Sequence, residues 1–140
     1  MYRSRHYRRD YEKQMKKNKS DTDCIFCHPK TANITENSQY FYVIENIFPY
    51  SIWDFYRLKK HLMLVPKRHV AGLSDLDEAE AKAGMKLLQK YEQAGFNIYA
   101  RHPKSPVKTI VHQHTHLIKP TGKEQKFLLY LKKPHIHWHR

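Results

Sequence analysis

Residues 112–116 read His-Gln-His-Thr-His, and their spacing bears on chemistry. Alternate side chains of a β-strand share one face, so there His112, His114 and His116 would stand in a row roughly 6.5–7 Å apart. A helix would scatter them around its axis. Thr109, Ile110 and Val111 before the run, and Leu117 and Ile118 after it, favour the strand. A row of imidazoles can hold a metal, or can offer one nucleophile beside donors that grip a phosphate. His135, His137 and His139 repeat the spacing beyond Pro134, and that stretch reads as a tail. Cys24 and Cys27 are the only cysteines. Their Cys-x-x-Cys spacing fits half a metal site, a redox dithiol or plain structural thiols. No thioredoxin-like βαβ pattern surrounds them, which weighs against the redox reading.

Elements must exist to position these groups. Residues 40–45 (YFYVIE) are β-branched and aromatic, a strand pattern that Pro49 ends, since proline has no amide for a ladder. Residues 53–58 suggest a short edge strand, and residues 61–65 (HLMLV) a firmer one closed by Pro66. The clearest helix spans about 75–94, with Ser74 as N-cap and Asp77 three residues on. Leu76, Ala79, Ala83, Leu87 and Tyr91 give it one apolar stripe, and Gly95 gives it a stop. Strand-like segments follow at 96–100 and 109–118, then an apolar run at 127–131. Strands with one good helix and no set of crossover helices predict an α+β fold, an antiparallel sheet with a helix packed on one face.

A length of 140 residues, 40% of them hydrophobic, suits one globular domain. No apolar stretch approaches the roughly 18 residues of a membrane span, and no apolar segment follows the basic N-terminus as a signal peptide would require. A soluble, cytoplasmic protein is expected. The formal charge is +13, which points to an anionic partner. Residues 1–20 hold eight Lys and Arg against Asp10 and Glu12, so +6 of that charge sits there. Residues 1–22 read as a basic appendage, either a solvated tail or a short helix docked on the surface. Tyr2, Tyr7 and Tyr11 interleaved with arginines would also suit RNA contact. The chain thus divides into a basic extension at 1–22, a domain at 23–133 and a His-rich tail at 134–140.

Taken together, the motifs resemble the histidine-triad (HIT) family, in its zinc-binding microbial form. His112-x-His114-x-His116-Leu-Ile is similar to the family's name motif. Cys24-Ile-Phe-Cys27 resembles the Cys-x-x-Cys of microbial members, Asn46-Ile-Phe-Pro49 the family turn, and residues 61–69 the strand ending in Pro-Lys-x-His. Order and spacing agree over about residues 24–120. The resemblance implies an antiparallel meander, a homodimer, and a hydrolase or transferase acting on the α-phosphate of a nucleotidyl substrate. Dinucleoside polyphosphates and nucleoside phosphoramidates are the substrate types implied. His114 would attack phosphorus and form a covalent nucleotidyl-histidine. His116 would donate to phosphate oxygens, and Thr109 would assist the leaving group. Asn46 would bind ribose, Ile44 and Ile47 would pack on the base, and Asn97 would lie near the phosphates. Zinc would be held by Cys24, Cys27, His69 and His112, with His28 an alternative ligand. The alternative function is a non-catalytic nucleotide- or RNA-binding protein using the same pocket.

Two departures from the family pattern stand out. Val107-Lys108 replaces Gly-Gln, so Lys108 would offer the substrate a charge instead of a directional hydrogen bond. Gln113 and Thr115 replace apolar residues. They predict an opposite face that is less buried than usual, or covered by the N-terminal segment.

Overall fold

The computed structural model describes residue 3 and residues 5–17, 24–124, 130–132 and 135–137. Its elements are α1 (Arg5–Lys17), β1 (Ile34–Asn37), β2 (Phe41–Glu45), β3 (Ile52–Trp53), β4 (Tyr56–Pro66), α2 (Glu78–Gln93), β5 (Asn97–Ala100), β6 (Thr115–Glu124), β7 (Tyr130–Lys132) and β8 (His135–His137). The main sheet is antiparallel, in the order β1-β2-β4-β6-β5, with β3 on β4. Here α2 carries the chain past one strand's width to β5, and β6 returns between β5 and β4. The fold is α+β, as the pattern predicts, with β7 and β8 forming a separate pair.

The two-residue period of the strands sorts the sheet into two faces. Phe41 and Val43 of β2, Leu62 and Leu64 of β4, and Leu117 of β6 join Leu87 and Tyr91 of α2 in one core. Each such side chain, fully buried, contributes about 1.5–3 kcal/mol relative to exposure. The alternate residues, Ile44, Met63 and Val65, face the other way and pack with Phe26 from the Cys-x-x-Cys segment. His61 and His116 share that second face by the same register, His61 opposite Ile118 and His116 opposite Met63.

The helix starts three residues later than the sequence pattern suggests. Asp77, not Ser74, is the N-cap: its carboxylate accepts from Glu80 N, and Glu80 accepts from Asp77 N. Ser74 lies in a 3-10 turn, Leu73–Asp75, whose own Asp75 takes the amides of Ala71 and Gly72. Glu80 earns its burial by also accepting two bonds from Arg68. In the apolar stripe Gly84 replaces Ala79, which is exposed, and the ring of Phe41 lies against Gly84. At the other end Gly95, at φ +83, lets Phe96 N reach Tyr91 O and its own N reach Glu92 O. Those two bonds form a Schellman motif, and the Tyr91–Phe96 edge contact supplies its apolar clasp.

Residues 53–58 are a tight hairpin, not one strand. Asp54 and Phe55 both take positive φ between β3 and β4, as a type I′ turn requires. Asn-Gly is the usual signal for that turn, and Asp-Phe conceals it. The expected strand at 109–118 begins only at Thr115 and runs to Glu124. Of the apolar run at 127–131, residues 127–129 lie outside the described residues, as do 138–140 of the tail and 18–22 of the extension.

Candidate active site and metal centre

His112 stands before β6, so the three histidines do not form one row. Gln113 N donates to Val70 O and ties this approach segment to the loop after β4. His112 therefore turns toward Cys24 and Cys27, while His114 and His116 face the pocket. Four ligand atoms, one each from Cys24, Cys27, His69 and His112, lie within 4.8 Å of one another. His112 Nδ1 is 3.4 Å from Cys24 Sγ and 3.5 Å from Cys27 Sγ, and His69 Nδ1 is 3.2 Å from Cys27 Sγ. A tetrahedral zinc with ordinary Zn–S and Zn–N bonds spaces sulfur and nitrogen about 3.6 Å apart, so this cluster could hold such an ion. His112 Nε2 donates to Pro66 O at 2.9 Å, the second-shell contact that orients a ligating imidazole. Burial and the neighbouring Cys24 push the Cys27 thiol up, a penalty that a bound cation reverses by stabilising thiolate. His28 is not in this cluster. It is exposed at the rim of the pocket.

The pocket beside the cluster encloses about 230 Å³. Phe26, Ile25, Ile44 and Ile47 line its apolar end, and His114 and His116 line its wall. Hydrogen bonds assign the two imidazoles opposite tautomers. His114 Nδ1 donates to His112 O at 2.9 Å, which leaves its Nε2 lone pair unprotonated. The backbone N–H of Tyr50 donates to His61 Nδ1 at 3.1 Å, so the proton of His61 sits on Nε2. That Nε2 donates to His116 Nδ1 at 2.9 Å, and the proton of His116 is thereby placed on Nε2. The Nε2 of His116 is buried with no hydrogen-bond partner among the described residues. A donor so placed awaits an acceptor.

Burial keeps all three rings neutral. It pushes His114 down to about 4, His61 to about 3 and His116 to about 2, with Arg101 adding to the effect on His114 and His116, and Arg3 on His61 and His116. A neutral imidazole with a free lone pair therefore sits 5.1 Å, ring to ring, from a neutral imidazole with a free N–H. The first can attack an electrophile. The second can bind the negative oxygens that result.

The remaining expected site residues divide between the pocket and elsewhere. Asn46, Ile44, Ile47 and Thr109 line the pocket with the two histidines. Asn46 braces its own turn by accepting from Phe48 N. Asn97 is exposed at the start of β5 and does not reach the pocket. Arg101, just past the end of β5, does, and it donates to the Tyr50 hydroxyl at 2.8 Å. Lys108 points inward, donating to Ala71 O and Gln113 Oε1, so its charge is spent on the loop that holds the approach segment. Gln113 and Thr115 are both buried. The described contacts of the N-terminal segment are made elsewhere: Arg3 Nε donates to Phe48 O, and Tyr11 of α1 hydrogen-bonds Thr109. Over Arg5–Lys17 that segment is accordingly a docked helix, not a solvated tail. His61 was not singled out from the sequence. The available signal was a polar residue opening the apolar run HLMLV, while its sharing of a face with His116 comes from the β4–β6 register.

Sheet order, motif order and histidine constellation are those of a HIT-like fold. A 16.1 kDa HIT-like protein of Mycoplasma pneumoniae is 25% identical over 112 residues, which are 74% of this chain and 75% of that one. A HIT family hydrolase from Clostridium thermocellum superposes with a TM-score of 0.55 at 19% identity, over 78% of this chain and 100% of its own. A histidine triad nucleotide-binding protein from Candida albicans gives 0.56 at 18% identity, over 70% and 76%. No family model matches the chain. Likeness at this level establishes the fold, and function has to be argued from the site. Among the described residues, no helix is long and apolar enough to cross a membrane.

Proposed function

We propose that this protein is a nucleotide hydrolase or nucleotidyl transferase that works through a covalent intermediate on His114. The pairing of two neutral, buried imidazoles in opposite tautomers, both facing one pocket, carries this reading. The nucleobase packs between Ile44 and Ile47, with Phe26 behind, and Asn46 takes the ribose hydroxyls. Nε2 of His114 attacks the α-phosphorus. As the P–N bond forms, the bond to the leaving group breaks and its electron pair departs with that group. His116 Nε2–H donates to a phosphate oxygen, and the His112 carbonyl stabilises the charge that develops on His114 through its Nδ1–H. Thr109 lies beside the leaving group. Water then cleaves the P–N bond and restores His114.

Cys24, Cys27, His69 and His112 are the residues that would hold zinc. A closed two-thiolate, two-imidazole set is structural in character. Its contribution would be rigidity, because His112 is both a ligand and the carbonyl partner of His114. Homodimerisation and a cytoplasmic location belong to the same reading. Light scattering and cell fractionation test them.

The proposal is tested by incubating the full chain with dinucleoside polyphosphates and nucleoside phosphoramidates. Release of the nucleoside monophosphate is expected, with a loss of at least about a thousandfold in His114→Ala. Equal turnover in the variant would remove His114 as nucleophile. The second reading, an RNA- or nucleotide-binding protein without turnover, is favoured by one observation. Arg8, Arg9 and Lys13 of α1 are exposed. Binding of RNA that is lost when these three are changed to Gln, with no turnover of any compound, would select it.

A further inference from the structure

Ring contacts order the pocket from an apolar to a cationic end. Phe26 lies 5.0 Å from His114, His114 5.1 Å from His116, and His116 5.7 Å from Tyr50, centroid to centroid. Tyr50 is bracketed by two arginines. Arg101 donates to its hydroxyl, and the Arg3 guanidinium lies 4.6 Å from its ring centroid. Arg3 is also 4.1 Å from the ring of Tyr11, whose hydroxyl meets Thr109. Glu45, the acidic residue of this lining, pairs with Lys60 instead.

Arg3 is thus half-buried, clasped between two aromatic faces and anchored through Nε to the Phe48 carbonyl. Among the described residues no carboxylate accompanies it. A cation held beside neutral histidines, without a counter-ion, is costly unless a ligand supplies the charge. Its position is also set by the chain: α1 docks through Tyr11 on Thr109 and on Phe48, 5.8 Å ring to ring, and the segment before α1 delivers Arg3.

We propose that Arg3 is a specificity residue: with Arg101 it forms an anion subsite beyond His116 that receives a phosphate of the leaving group. The inference rests on the reading of the pocket as a nucleotidyl-transfer site. With the base at Phe26 and the α-phosphorus at His114, the leaving group extends past His116 toward Tyr50. When P–O cleavage leaves the electron pair on a leaving phosphate, the two guanidiniums meet that charge directly. An amine leaving group develops no such charge. The site therefore favours nucleoside polyphosphates over phosphoramidates.

The test compares kcat/KM of the full chain on diadenosine tetraphosphate and on adenosine 5′-phosphoramidate. Arg3→Gln is expected to lower the first at least about tenfold more than the second, with Arg3→Lys recovering part of the loss. An equal loss on both compounds would reduce Arg3 to a packing role and overturn the proposal. A second readout does not depend on turnover: tripolyphosphate binding by calorimetry. Affinity should weaken at least about tenfold in Arg3→Gln, and unchanged affinity overturns the subsite. If neither nucleotide is turned over but tripolyphosphate binding still depends on Arg3, the subsite stands while the catalytic reading fails.

Discussion

Replacing His61 by Phe breaks a relay that the hydrogen bonds spell out. The wild-type ring accepts from Tyr50 N and donates to His116 Nδ1, which fixes the His116 proton on Nε2. Phenylalanine keeps the stacked contact with Tyr50, seen at 4.8 Å, but can neither accept nor donate. The buried Tyr50 amide and His116 Nδ1 then lose their partners, at about 1–3 kcal/mol each, and the part-buried Asn46 amide, 3.2 Å from His61 Nε2, loses its contact with the ring as well. His116 is also free to move its proton to Nδ1, where Nε2 would present a lone pair to phosphate. Loss of one such preorganised donor costs about 10²–10³ in kcat. We therefore expect His61→Phe to lower kcat about a hundredfold with KM within about threefold, and to lower the urea midpoint. His61→Gln should retain most of kcat, since its carbonyl can accept from Tyr50 and its amide can donate to His116. Steady-state kinetics on a dinucleoside polyphosphate, beside urea unfolding, provides the assay. Equal losses in the two variants, or full activity in His61→Phe, would refute the relay.

Further outcomes follow from the same geometry. His61 and His116 stay neutral in the fold, at about 3 and about 2, whereas the unfolded chain protonates them near the ordinary 6.5. Their contribution is complete above about pH 6.5 and is lost as pH falls, at up to about 1.4 kcal/mol per pH unit for each group. Urea unfolding at pH 7.5 and pH 5 should differ by about 2 kcal/mol or more from this source, and a flat profile would contradict it. Cys24→Ser should lose the roughly one equivalent of zinc expected per chain by elemental analysis. Retention of the metal would remove Cys24 from the ligand set. Gly84→Val should destabilise by about 1–3 kcal/mol, because a Cβ there already meets Phe41 Cζ at 3.0 Å. An unchanged denaturation midpoint would show that the Phe41 ring yields freely.

Much of this was legible in the residues, and the misses share a physical cause. The apolar runs at 40–45 and 61–65 announced β2 and β4 as strands, but being apolar on both sides they did not show which side chains face α2. The Cys24, Cys27, His69 and His112 grouping followed from motif resemblance, and the fold brings all four together. What local pattern could not show was where a strand begins. Residues 109–111 have strand-like side chains, yet the approach to β6 is bound to Val70 and Lys108 by tertiary contacts, which frees His112 to turn away. Asn97 and Arg101 sit at opposite ends of a four-residue strand, so choosing between them requires knowing which end of β5 meets the pocket. The dock of α1 rests on Tyr11 meeting Thr109, 98 residues apart, a contact without any local signal.

If His114 is the nucleophile, its covalent nucleotidyl intermediate can be trapped. Full-length protein would be mixed with a dinucleoside polyphosphate labelled at the α-phosphate, quenched in alkali, and digested for mass spectrometry. A labelled, acid-labile nucleotidyl adduct is expected on the peptide carrying His114, absent in His114→Ala. Turnover by the wild type with no adduct at any quench time, or an adduct that persists in His114→Ala, would contradict it.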